Sequence, residues 1–230
     1  MGLAGSVTAA QKTALRLVEF NLHVARYAHR SWYEELLGEE RLARALLDGE
    51  GTLLARVEPQ ISGWLLRDSG LAGQMDWQME EPQKRLWLLE RPELERLAVE
   101  LALAMHREWL VQIIDSVRLR ALSGVVGEAL RFVIEEVPAG CFHYQAAAIS
   151  FDGDLSPDLG TDLKIHGART LFALLDPAWR AVRGRAQFFF ERSRVIGEVP
   201  PLEPTLRQRA LDLIIERLIP RRFPEWAWCF

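Results

Sequence analysis

Cysteine is nearly absent: Cys141 and Cys229 are the only two in 230 residues. Two distant thiols build no disulfide framework, so a reducing compartment is the default. No stretch approaches the roughly 18 consecutive apolar residues of a membrane span. Residues 1–10 lack the basic start and apolar run of a secretory signal. A cytoplasmic protein is expected, one that meets a membrane only through a partner. Lysine is scarce as well, with Lys12, Lys84 and Lys164 the whole set and arginine supplying the other basic residues. The 28 basic residues are outnumbered by 32 acidic ones, for a net charge of −4. A general nucleic-acid binder needs a positive excess to neutralise phosphates, so that class is disfavoured. With 16 Gly and 11 Pro the chain is neither collagen-like nor of low complexity. It holds no glycine-rich phosphate loop, no His-Glu-x-x-His zinc helix and no Gly-x-Ser-x-Gly elbow.

What the chain does have is helical periodicity. Leu94, Leu97, Ala98, Leu101, Met105, Trp109 and Ile113 recur at three- and four-residue steps, which predicts an amphipathic helix. Pro92 near its start costs little, because a first-turn N–H has no partner anyway. The same reasoning predicts helices over 118–136, over 159–175, from Pro177 through Phe189, and over 204–219, where Pro220 and Pro224 forbid a regular continuation. Shorter helices are predicted over 11–19, over 32–37 with Ser31 as N-cap, and over 39–47. A further one covers 52–66, where Pro59 argues for a kink or two pieces. Residues 68–82 and 195–204 read as surface connectors, rich in Gly or Pro. Residues 141–151 alternate weakly and read as a small irregular or strand-like element, a strand pair or a buried loop, with a short helix as the alternative. The fold class expected is all-α, in a single compact multi-helix domain spanning 1–230.

Chemistry-bearing patterns are few. Asp152, Asp154, Ser156 and Asp158 begin like a calcium loop. The sixth and twelfth positions are Pro157 and Leu163, where such a loop needs Gly and a bidentate Glu. A solvated, helix-capping loop is the better reading. Cys141 and His143 are a metal pair only if His106, His166 or Cys229 join them in space, so no metal is expected. Cys141 with a histidine, or an acidic pair, is the enzymatic alternative, although no family signature surrounds that cysteine. Arg183, Arg185, Arg192 and Arg194 bracket Phe188, Phe189 and Phe190, the pattern of a single-strand stacking surface. Three successive helical residues fan out by about 100° each. Two of the phenylalanines in the core, with arginines outside, is the simpler expectation. The ending, FPEWAWCF over 223–230, places Trp226 and Trp228 in an apolar tail that folds back or enters a partner's groove.

The string FNLHVARYAHRSW over residues 20–32 resembles the opening of the SctK (YscK/PscK-like) family of bacterial type III secretion proteins. That family shows a short F-x-L…P-A-x-Y-x-H element, and Val24 stands where its proline often is. LRFVI over 130–134 is similar to the family's mid-chain helix. HGARTLFALLDP over 166–177 is similar to its late helix, and 207–220 with the aromatic tail to its ending. The resemblance implies a helical, cytoplasmic, non-enzymatic adaptor of the injectisome sorting platform, without cofactor or metal. It implies contact with the forkhead-associated-like cytoplasmic domain of SctD on one side and with the pod protein SctQ on the other. Through SctQ it implies an indirect link to SctL and the ATPase SctN.

Site residues follow as candidates. Phe20, Tyr27, His29 and Trp32 are the matched positions, which either pin the N-terminal segment to the core or dock a partner. Glu34, Glu35, Glu39 and Glu40, and the loop carrying Asp152, Asp154 and Asp158, are acidic candidates for the SctD side. Trp226 and Trp228 complete the candidate partner-binding set.

Overall fold

The computed structural model describes residues 8–48, 52–112, 116–142, 159–192, 199–200 and 202–230. Several sequence expectations fall outside these residues: the element at 141–151 beyond Phe142, with His143; Asp152, Asp154 and Asp158; Arg194; and half of 195–204. Among the described residues the regular structure is helical throughout and the fold is all-α. In chain order the helices are α1 (Ala9–Leu22), α2 (Arg30–Leu37), α3 (Glu40–Asp48), α4 (Thr52–Asp68), α5 (Pro82–Arg85), α6 (Arg91–Met105), α7 (Arg107–Leu110), α8 (Ser116–Val126), α9 (Glu128–Glu136), α10 (Leu159–Ala173), α11 (Arg180–Ala186), α12 (Pro204–Leu213) and α13 (Ile219–Arg222). Single 3-10 turns occupy Val24–Arg26, Leu86–Leu88 and Gln187–Phe189, a longer one Pro224–Cys229, and a π turn Ile214–Leu218. None of these helices is long and apolar enough to cross a membrane.

The chain divides into two compact units. The first comprises Met1–Arg91, Pro177–Gly197 and Trp228–Phe230; the second comprises Pro92–Asp176 and Glu198–Ala227.

In the first unit α1 starts at a capping box. Thr8 Oγ1 accepts the Gln11 N–H, and the Gln11 side chain accepts the Thr8 N–H at 2.8 Å. The N-cap of α2 is His29, not Ser31. His29 Nδ1 accepts the Ser31 N–H at 3.2 Å, and Ser31 Oγ accepts the Arg192 N–H at 2.9 Å. Gly38 ends α2 in the left-handed region, at φ 66°. Pro59 lies inside α4, which is one helix rather than two. Pro177 sits in a turn, and α11 begins only at Arg180. The helical chain then tightens to 3-10 at 187–189, and Phe190 is extended. That switch brings Phe188, Phe189 and Phe190 all into the core, where a continuous α-helix would have turned one of them outward.

In the second unit two long expected helices prove to be interrupted. The 94–113 period breaks at His106, whose N–H is shared between Ala102 O and Leu103 O. The 118–136 period breaks at Gly127, which takes φ 59° and separates α8 from α9. No side chain adopts that conformation cheaply, so glycine marks the break. Pro220, by contrast, fails to stop its helix. The π turn just before it, closed by Ile219 N–H to Ile214 O, lets helical backbone continue through Arg222. Helices α6 and α10 approach closely: a Cβ on Gly167 would lie 1.7 Å from Ala98 O.

Candidate partner-binding residues and the buried polar anchors

The string at 20–32 is clamped to the segment at 188–190. Tyr27 stacks on Phe189 at 4.3 Å between ring centroids and on Phe20 at 6.0 Å. Its hydroxyl donates to Phe20 O at 2.8 Å, and burial holds its pKa well above the ordinary value. Trp32 meets Phe188 edge-on at 4.6 Å and donates from Nε1 to Phe190 O at 3.0 Å. The backbone N–H of His29 donates to Phe188 O at 2.7 Å. Trp87 closes the cluster against Phe189 and Phe190. Tyr27 and Trp32 are thus buried, and His29 is half-buried. Arg192 covers the face of Trp32 at 4.8 Å while pairing with Glu35 at 2.6 Å.

Of the other acidic candidates, Glu34 pairs with Arg30 at 3.5 Å and Glu40 with Arg44 at 2.5 Å; Glu39 is exposed. In the tail, Trp226 is buried in the second unit. Trp228 is half-buried in the first, with Lys12 Nζ 5.7 Å from its ring.

Of the four arginines of the run, Arg185 and Arg192 are engaged within the first unit. Arg185 is buried, donating from Nε to Asn21 O and from a terminal nitrogen to Ala181 O, both at 3.2 Å. Desolvation lowers its pKa, but a guanidinium stays charged. Arg192 is engaged as described. Phosphates cannot reach Arg185, and Phe188 to Phe190 present no faces for stacking bases.

The thiols point away from nucleophilic chemistry. Burial raises the pKa of Cys141 and pushes that of Cys229 up to about 11. A reactive cysteine needs the opposite shift. Among the described residues no three His, Cys, Asp or Glu side chains gather as metal ligands. His106 and His166 do come together, with ring centroids 5.2 Å apart. Desolvation lowers both pKa values, that of His106 to about 4, so both rings are neutral at pH 7.

Periodicity misses another set, the buried polar anchors. Asn21 is fully buried in the first unit. Its side chain clasps the backbone of Asp76, donating to Asp76 O at 2.8 Å and accepting the Asp76 N–H at 3.1 Å. Lys84 is buried too, and its ammonium donates to Asp76 Oδ2 at 2.9 Å and Gln78 O at 3.0 Å. It also lies 4.7 Å from the ring of Trp179. Glu58 accepts from Ser62 Oγ at 2.7 Å and approaches His23 Nδ1 at 2.9 Å and Arg26 Nε at 3.4 Å. In the second unit the fully buried Glu100 takes Arg222 in a fork, with contacts of 3.0 and 3.1 Å to Oε1 and 3.3 Å to Oε2. Desolvation raises the Glu100 pKa, opposed by Arg222 and Arg96. The only sequence signal for these anchors is their residue type at interior positions, which a lone chain does not separate from surface polars.

Neither curated proteins nor solved structures match the chain. The model of the family described as "YOP proteins translocation protein K (YscK)" matches residues 14–140, which is more than half of the chain. The match includes the string at 20–32 and the helix at 130–134; the resemblances at 166–177 and 207–220 lie beyond it. By that match the chain belongs to the YscK family of type III secretion proteins.

Proposed function

We propose that this chain is a non-enzymatic cytoplasmic adaptor of the sorting platform, linking the cytoplasmic domain of SctD to the pod protein SctQ. Through SctQ it would join SctL and the ATPase SctN. The observation that carries the reading is the family match over 14–140. Two helical units, each with its own buried charged anchors, suit a part that transmits position rather than turns over substrate. A cytoplasmic place beside the inner membrane follows from the same role.

Within this reading the candidate residues divide by depth. Tyr27, Trp32 and Trp226 act from inside, holding the surfaces around them in place. His29, Trp228 and the acids Glu34, Glu35, Glu39 and Glu40 are the members of the set that a partner can touch. Asp152, Asp154 and Asp158 remain acidic candidates for the SctD side, to be tested by charge reversal.

The test is a titration of the purified chain with the SctD cytoplasmic domain and, separately, with SctQ, at physiological salt. Saturable binding to each is the expected result. The reading fails if both well-folded partners leave the chain unbound, also when presented as multivalent assemblies.

A further inference from the structure

The segment between α4 and α5 has no regular secondary structure from residue 74 to 80, yet its inner side is tightly held. Leu71 is buried and packs its methyl groups where a Cβ on Gly184 would stand, 2.5 Å away. Asn21 clasps Asp76 through both backbone groups. The buried Lys84 holds the Asp76 carboxylate and Gln78 O. Asp76 Oδ1 accepts the Gln78 N–H at 2.9 Å, and Arg85 Nε donates to Met79 O at 2.6 Å. Placing an ammonium and a carboxamide in the interior costs solvation. Here that cost is offset by hydrogen bonds whose common partner is this one segment.

The outer side is apolar. Met75 is 45% exposed and Trp77 is 48% exposed, on either side of the anchored Asp76. Tryptophan and methionine are enriched at the centres of protein interfaces. A backbone fixed beforehand loses little entropy on binding. The charges beside them have one sign: residues 71–81 contain Asp76, Glu80 and Glu81 and no basic residue. Lys84 pairs with Asp76 at 2.9 Å and with Glu81 at 3.4 Å, so the exposed Glu80 is the acid this run offers to a partner.

We infer that Met75 and Trp77 form a pre-organised docking epitope for a protein partner that offers an apolar cleft rimmed by arginine or lysine. The inference rests on the adaptor reading and names the surface it uses. Trp77 supplies the anchor, Met75 adapts to the cleft wall, and Glu80 meets the basic rim.

The experiment compares Trp77→Ala, Met75→Glu and Glu80→Lys with the parent chain. The probes are the SctD cytoplasmic domain and SctQ, titrated at low and physiological salt. Trp64→Ala is the control, since Trp64 is also exposed in the same unit, on α4, at 47%. Circular dichroism and thermal unfolding confirm that each variant folds; Met75→Glu serves should Trp77→Ala not. The epitope predicts about tenfold or greater weakening toward one of the two probes for Trp77→Ala. It also predicts weaker binding for Glu80→Lys, with a flatter salt dependence, and no change for Trp64→Ala. Unaltered affinity of Trp77→Ala and Met75→Glu for both probes overturns the epitope and leaves the adaptor standing. Equal losses from Trp64→Ala and Trp77→Ala also overturn it, as does self-association of the parent that Trp77→Ala removes. A parent chain that binds neither probe overturns the epitope together with the adaptor reading.

Discussion

At the scale of the residue, the fold is governed by a few polar side chains placed where only full pairing keeps them from being costly. Glu100 and Arg222 are the clearest pair. The carboxylate is wholly buried, while the guanidinium is partly exposed and lies 5.5 Å from the ring of Phe132. Removing one partner of a buried pair leaves an uncompensated charge, at about 3–5 kcal/mol when burial is complete. Arg222→Met is therefore expected to lose about 2–4 kcal/mol in urea unfolding at pH 7, the partial exposure of Arg222 placing it at the lower end. Without Arg222 the Glu100 carboxyl rises further above its unfolded value. A carboxyl raised on folding contributes stability below its unfolded pKa and loses it as pH climbs through the folded one. The gap between parent and variant should thus narrow as pH is lowered toward 4.5, the ordinary value for this carboxyl. A pH-independent gap would show that Glu100 is not the group left unpaired.

At the scale of the element, helix class was readable in the sequence and helix boundaries much less so. Three- and four-residue apolar spacing marks α6 and α10 because their faces must be covered. It does not register Gly127, because one glycine inside a periodic run is compatible with either a costly helix or a break. It does not register the π turn before Pro220, because the extra residue per turn leaves the apolar pattern nearly unchanged. Phe188 to Phe190 were harder still: their shared burial depends on a change from α to 3-10 backbone that no residue type announces. The string at 20–32 was legible as a family feature, but its partner segment lies some 160 residues away, and only folding joins Trp32 to Phe190. The close approach of α6 and α10 gives the sharpest test at this scale. Gly167→Ala places a methyl group against the Ala98 carbonyl, backbone that cannot rotate aside. Overpacking of this kind is expected to cost at least about 2 kcal/mol. Gly124→Ala, with open space around its Cβ position, should be neutral or slightly stabilising in the same urea titration. Equal behaviour of the two variants would contradict the packing described.

For the whole molecule, stability should fall with acidification. His106 and His166 are both held below the ordinary histidine value of 6.5, chiefly by desolvation, His106 at about 4. Above pH 6.5 neither folded nor unfolded chain is protonated at these rings, and their contribution is intact. As pH falls from 6.5 toward 4 the unfolded chain takes up protons that the folded one refuses. Each such proton lowers stability by about 1.4 kcal/mol per pH unit. Urea midpoints measured from pH 7.5 to 4.5 should show this slope, and His106→Leu/His166→Leu should flatten it; an unchanged slope in the double variant would place the sensitivity elsewhere. The adaptor role is likewise a claim about the whole molecule, because it requires two partners at once. The most direct measurement is analytical ultracentrifugation of the SctD cytoplasmic domain and SctQ, with and without this chain. The account predicts that the two sediment separately alone and as one ternary species once the chain is added. Two partners that bind the chain only in exclusion of each other, or that remain separate in its presence, would contradict it.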